Sequence, residues 1–198
     1  MTERRKKLIQ EVVGQRQQGI LVLEDIHDPH NAAACLRSAE AFGFQQVYFI
    51  FAEETKFNPK KVGSVVASSA NKWLDYKVFD STKKCFSELR KKGYEIVTTV
   101  VDNSKAESFF KVSLTKSKIA LVLGNEHRGV SQEAIRLSDR HLYMPMRGFV
   151  ESFNLSVFAS LCLYEITRQR LGRGMRKYLY SSKERTKLER EFFKRGSK

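Results

Sequence analysis

The chain is short of several residue types and patterns, and each shortage excludes a class of protein. Its 198 residues include three cysteines and three prolines. Cys35, Cys85 and Cys162 are odd in number and widely spaced, without a CxxC pair. They therefore read as buried thiols, with neither a disulfide framework nor a thiolate metal site. No window approaches the roughly 18 uninterrupted apolar residues of a membrane span, and the start MTERRKKLIQ is basic without the apolar stretch of a secretory signal. The expectation is a cytoplasmic protein with no membrane partner. GxxxxGK[ST], GxGxxG and HExxH are all missing, so nucleotide hydrolysis, ordinary hydride transfer and zinc hydrolysis lack their usual residues. His27, His30, His127 and His141 show no metal-ligand spacing, and no metal is expected.

Acidic residues are scarce relative to basic ones, 22 against 36, which gives a formal charge of +14. The excess is uneven. Residues 1–19 carry five Lys/Arg against two acids and residues 166–198 carry twelve against three, so the ends hold +12 and the centre is nearly neutral. Two basic arms would hold a polyanion such as RNA through salt-sensitive phosphate contacts, leaving chemistry to the body between them. A solvated basic surface accounts for the charge alone equally well. Tyr178, Tyr180, Phe192 and Phe193 in the C-terminal arm could stack on bases or pack a helix.

The body has enough apolar content, 41% over the whole chain, for one full-sized core. Residues 20–24, 47–51, 96–101, 119–123 and 141–144 are short β-rich runs, several almost wholly apolar, as expected for strands buried on both faces. Helical patterns lie between them at 31–42 and 82–92, each followed by glycine, and at 131–138 and 154–170. A further helix is expected around 182–194. Residues 53–75, with Pro59 and Gly63, read as a short helix and loops. The alternation implies an α/β fold with a mostly parallel sheet flanked by helices. It divides into a basic arm at 1–19, a body at 20–170 and a basic helical arm at 171–198.

Two segments, LVLGNEHRGVS at 121–131 and MPMRGFVESFNLSV at 144–157, each read as strand, tight polar loop and helix start. That arrangement opens a crevice at the carboxyl ends of a parallel sheet. In DPHNAAACLRSAEAFG, at 28–43, Arg37 has Ala33, Ala34 and Ala41 as its helical neighbours, which leaves its guanidinium free to reach a phosphate. The alternative is an ion pair with Glu40. Asn31 has a plain reading as a helix cap, and Glu126 as a carboxylate holding loop amides. Ser152 and Asn154 would serve as N-caps in most proteins.

NAAACLRSAEAFG, LVLGNEHRGVS and MPMRGFVESFNLSVFASLCLYE resemble, in order, the three motifs of TrmH-type SPOUT RNA 2′-O-methyltransferases. The likeness runs from about residue 20 to residue 169. It implies a SPOUT fold with a C-terminal trefoil knot, which general topology rules would not suggest, together with S-adenosylmethionine as cofactor and a homodimer that shares its active sites. Carried over position by position, it makes Arg37 the catalytic arginine and Asn31 its companion, with Glu126, Ser152 and Asn154 as the other motif residues. Thr99, Leu123, Gly124, Met144 and Phe153 would grip the cofactor largely through backbone, Gly124 by letting a ligand approach closely. Met144 and Phe153 depart from the branched aliphatic and the leucine usual at those positions, which bears on pocket shape.

The implied reaction is an in-line attack of a ribose 2′-hydroxyl on the sulfonium methyl group. Guanidinium stays protonated at neutral pH, so Arg37 would act through a neighbouring RNA phosphate and stabilise charge on the oxygen. The basic ends, without a separate RNA-binding domain, resemble the tRNA enzymes that modify a D-loop guanosine. The alternatives are a ribosomal RNA enzyme of the same family and a non-catalytic RNA-binding protein that kept the fold.

Overall fold

The computed structural model describes residues 1–61, 70–101 and 104–197. The chain opens with helix α1 (Glu3–Gly14) and runs through strand β1 (Gln17–Glu24), helix α2 (Pro29–Ala41) and strand β2 (Phe44–Ile50). A short turn of helix, α3 (Ala70–Trp73), leads to β3 (Asp75–Phe79), α4 (Thr82–Lys91), β4 (Glu95–Thr99) and the two-residue β5 (Glu107–Ser108). Then follow β6 (Ile119–Leu123), α5 (Gln132–Leu137), β7 (Arg140–Tyr143), α6 (Leu155–Gly172), a 3-10 turn (Met175–Tyr178) and α7 (Ser182–Gly196).

The seven strands form one sheet in the order β3-β2-β1-β6-β4-β7-β5, and every neighbouring pair is parallel. Alternation along the strands divides the core. Leu21, Leu23, Val47 and Phe49 face α2 and α6, meeting Leu36, Ala39, Cys162 and Ile166. Ile20, Val22, Ile50 and Ile96 face the other way, against Cys85, Phe86 and Leu89 of α4 and Ala134 of α5. With both faces covered, the central strands can be apolar throughout, as the sequence requires. All three cysteines are free and buried. No helix among the described residues is long and apolar enough to cross a membrane.

The expected helices and strands are present, with ends shifted by a few residues. Gly43 and Gly93 follow α2 and α4 with φ of +77° and +76°, the helix stop the sequence suggested. Three elements were not expected: α1, β3 and β5. Residues 1–19, read only as a basic arm, contain α1 and the start of β1. Only Ile9 and Val13 of α1 are fully buried, one turn apart, and this is too sparse a pattern to stand out in a charged stretch. Their partners are Tyr180, Leu188 and Phe192, so the two arms form a single helix pair with an apolar seam. The C-terminal aromatics accordingly pack instead of facing solvent: Tyr178, Tyr180 and Phe192 are buried and Phe193 lies against the seam. The pair sits at the amino ends of the strands. Leu179 bridges Gln17 at the start of β1, and Arg195 Nη1 donates to the Trp73 carbonyl (2.8 Å) just before β3. Of the poorly patterned stretch 53–75, Gly63 and its neighbours at 62–69 lie outside the described residues.

Candidate active site at the carboxyl end of the sheet

The two crevice loops meet the start of α2 at the carboxyl ends of β1 and β6. Asp28 caps α2, accepting from His30 N–H (2.8 Å), with Pro29 in the first turn. Asn31 therefore is not a cap. Its side chain is an internal relay: Nδ2 donates to Glu126 Oε1 (2.9 Å) and Oδ1 accepts from Asn154 Nδ2 (3.0 Å). Asn154 is the N-cap of α6, its Oδ1 accepting from Ser156 N–H (2.9 Å) and Val157 N–H (3.4 Å). Glu126 also accepts from the backbone N–H groups of His27 (2.9 Å) and Asp28 (3.2 Å). One line of hydrogen bonds thus joins the β6–α5 loop, the start of α2 and the start of α6.

The charge state follows from those bonds. Burial pushes the Glu126 carboxyl up, but hydrogen bonds from Asn31 and from the local backbone outweigh it and hold the group below its ordinary value. It is an anion with its acceptor capacity largely filled, suited to fixing loops and unsuited to taking a proton at neutral pH.

A cleft of about 600 Å³ lies beside this relay, lined by Asn31, Glu126, Ser152 and Asn154 and by all five residues expected to hold a cofactor, Thr99, Leu123, Gly124, Met144 and Phe153. Ser152 is exposed and makes no hydrogen bond with the described residues, so it is not the cap its position suggested. Gly124 is required for a reason inside the chain. A Cβ there would stand 2.3 Å from Gly129 C and Val130 N, so the glycine lets the loop close on itself. The expected reason was close approach of a ligand.

Arg37 is not among the lining residues. It lies six residues beyond Asn31 on α2, about 9 Å along the helix axis, exposed and without a polar partner among the described residues. The ion pair with Glu40 does not form, because Glu40 Oε1 accepts from Nη2 of the buried Arg16 (2.7 Å).

The SpoU rRNA Methylase family model matches residues 18–164, which covers all but one residue of the sheet and all but the last residue of the three motif segments. The chain belongs to the SpoU family. It is similar to the tRNA (guanosine(18)-2′-O)-methyltransferase of Aquifex aeolicus (strain VF5), 33% identical over 87% of this chain and 80% of the relative. A solved structure, the A. aeolicus TrmH/SpoU tRNA modifying enzyme, superposes with a TM-score of 0.85 at 31% identity, covering 96% of this chain and 94% of that one. The SpoU methyltransferase AviRb from Streptomyces viridochromogenes, solved with the cofactor AdoMet, gives a TM-score of 0.66 at 25% identity, over 81% of this chain and 61% of that one.

Several residues of this SpoU-family site are not among those singled out from the sequence. Asn125 turns the β6–α5 loop: its Oδ1 accepts from His127 N–H (2.8 Å) and Arg128 N–H (3.2 Å). An asparagine directly after a strand-ending glycine is a turn signal, and it could have been found on that ground. Leu155 and Phe158, which fall within the helical pattern at 154–170, also line the cleft. Among the described residues no group of three or more His, Cys, Asp or Glu is placed to hold a metal.

Proposed function

We propose that this chain is an S-adenosylmethionine-dependent 2′-O-methyltransferase acting on a ribose of tRNA, a D-loop guanosine; the similar Aquifex aeolicus protein is named for a tRNA guanosine. The observation that carries the reading is the coincidence of the motif residues with one cleft. Its volume falls within the roughly 300–1,000 Å³ common for small-molecule sites, and its apolar walls with exposed loop backbone suit an adenosine. Leu123, Met144 and Phe153 would flank the base, and Thr99 and Gly124 would offer backbone. When bound, S-adenosylmethionine supplies a methyl group on a sulfonium, open to attack by oxygen.

The chain's own groups then have separate tasks. Asn31, Glu126 and Asn154 hold three loops in one register. Ser152 offers a free hydroxyl to the ribose. Arg37, permanently charged, binds the phosphate beside the target and stabilises the oxygen while that phosphate passes the hydroxyl proton to solvent; transfer of the methyl to the oxygen would leave S-adenosylhomocysteine. Since Arg37 stands outside its own cleft, we assign it to the cleft of a second copy, which makes the enzyme a homodimer. The face for that contact is on α6, where Val157, Tyr164 and Leu171 recur at seven-residue spacing with 46%, 52% and 63% exposure. Insertion of β6 between β1 and β4, with β7 beyond β4 and α6 returning onto α2, supports a C-terminal trefoil knot. The body at 20–170 performs the chemistry, and the basic segments 1–19 and 171–198 hold tRNA in the cytoplasm.

The test is incubation of the protein with methyl-labelled cofactor and either bulk tRNA or ribosomal RNA, followed by mapping of the labelled ribose. Label in tRNA at a D-loop guanosine is expected. Label confined to ribosomal RNA would move the substrate, and label in neither would overturn the reading.

A further inference from the structure

Outside the motif residues, a second group of side chains grips the loop at 124–130 from the opposite side. Glu54, which follows β2, is at its centre. Glu54 Oε1 accepts from Asn125 Nδ2 (3.1 Å) and from Arg128 Nη2 (2.8 Å), and its Oε2 lies 3.3 Å from His27 Nδ1. Arg128 Nη1 also pairs with Glu53. The backbone beneath is fixed by Asp25, whose Oδ1 accepts from the N–H groups of Ala52 (2.8 Å), Glu53 (3.1 Å) and Glu54 (3.2 Å), while its carbonyl accepts from Asn125 Nδ2 (2.7 Å). Asp25 is the only non-glycine residue with positive φ among the described residues, at 49°. A conformation of that kind persists only where its surroundings over-determine it, and these four hydrogen bonds, with a fifth from the Asp25 N–H to the Ile50 carbonyl (2.8 Å), do so here.

We propose that Glu54 is a positioning residue for cofactor binding, acting through Asn125 and Arg128 to hold the β6–α5 loop in the shape that forms the cleft wall. The loop's own bonds, Asn125 N–H to Gly129 carbonyl and the reverse, both 2.9 Å, close it locally but do not tie it to the rest of the molecule. That tie comes from Glu126 on the α2 side and, on the β2 side, from the Asp25 carbonyl and from Glu54, which alone among them also holds Arg128. Glu54 and Arg128 are partly solvated, with side-chain exposures of 24% and 48%, so the pair is weak enough to be screened by salt. Its effect should therefore appear in ligand affinity and its salt dependence, with little change in global stability.

This inference rests on the methyltransferase reading, and the experiment separates the two. S-adenosylhomocysteine is titrated calorimetrically into the full chain, its Glu54→Gln variant and its Arg128→Gln variant, each at low and at high salt, alongside thermal melts without ligand. Each variant should bind about two- to fivefold more weakly than the parent at low salt, the loss expected from one partly solvated ion pair. The difference should shrink at high salt while the melting temperatures stay alike. Parent-like affinity in both variants would overturn the positioning role, as would a loss of binding that merely follows a fall in melting temperature. Failure of the parent itself to bind would instead count against the methyltransferase reading.

Discussion

The two ends of the sheet are built on opposite plans. At the carboxyl end, Asn31, Glu126 and Asn154 share hydrogen bonds with one another and with loop backbone, so each polar atom is held in place. At the amino end, α1 and α7 meet through apolar and aromatic side chains, while Arg4, Arg5, Lys7, Lys183, Lys187, Arg190 and Lys194 stand at the solvent-facing side. A groove of about 970 Å³ along α1, larger than the cleft, lies at this end. Size alone would place the chemistry there, but of the three motif segments only Glu40 reaches it, and Asn31, Glu126, Ser152 and Asn154 all lie in the cleft at the other end. The eight residues of β1 separate the two regions by roughly 25 Å. Reacting atoms must be aligned to fractions of an ångström, whereas phosphates need only be attracted, so rigidity is concentrated at one end and positive charge at the other.

The sharpest way to break that division is at Arg37, which belongs to neither plan: it is free like the amino-end cations yet sits on the helix that carries Asn31. Arg37→Ala should lower methyl transfer by about a hundred- to a thousandfold, the scale for losing a group that stabilises charge in the transition state. S-adenosylhomocysteine affinity, read by calorimetry, should change by less than about twofold. Loss of binding in parallel with activity would place Arg37 in the cofactor cleft and contradict a shared site.

The contrast also explains what could be read in advance. Buried parallel strands announce themselves by continuous apolar runs, so β1, β2, β4 and β6 were legible from composition. The edge strand β3, with Lys77 and Val78 exposed, and the two-residue β5 carry no such signal. Motif residues were legible one by one, but not their bonding. Nothing in the local sequence tells that Glu40 pairs with Arg16, 24 positions away, instead of Arg37 three positions away. Nor could spacing reveal that Glu54 reaches Asn125, because the stretch around it lacks periodicity and the two residues are 71 positions apart. Long-range polar partners depend on the finished topology, while local patterns record only which side of an element is dry.

A smaller effect is expected at the amino end. Removing α7 outright would strip Leu188 and Phe192 from the seam and confuse binding with folding. Replacing four of its cations, Lys183, Lys187, Arg190 and Lys194, by glutamine leaves the seam intact. The slope of log affinity for tRNA against log salt should then become shallower, by about 0.7–0.9 for each phosphate that is no longer neutralised. Cofactor affinity and melting temperature should not move. An unchanged slope would reduce the helix pair to a structural role and leave the RNA surface elsewhere.

The smallest expected effect tests whether the carboxyl end owes its rigidity to charge. Glu126 is held below its ordinary value of 4.5 in the folded chain and returns to about that value on unfolding. A depressed carboxyl binds fewer protons folded than unfolded, so its stabilisation is complete above the unfolded value and is lost as pH falls through the folded one. Partial solvation limits it to no more than about 1 kcal/mol. Glu126→Gln should therefore be slightly less stable than the parent in denaturant titrations at pH 7, and the gap should close as pH drops below 4.5. A gap that persists in acid would mean that the glutamine fails by shape. In that case the relay would work as a set of fitted hydrogen bonds, with the negative charge incidental to how the three loops are held.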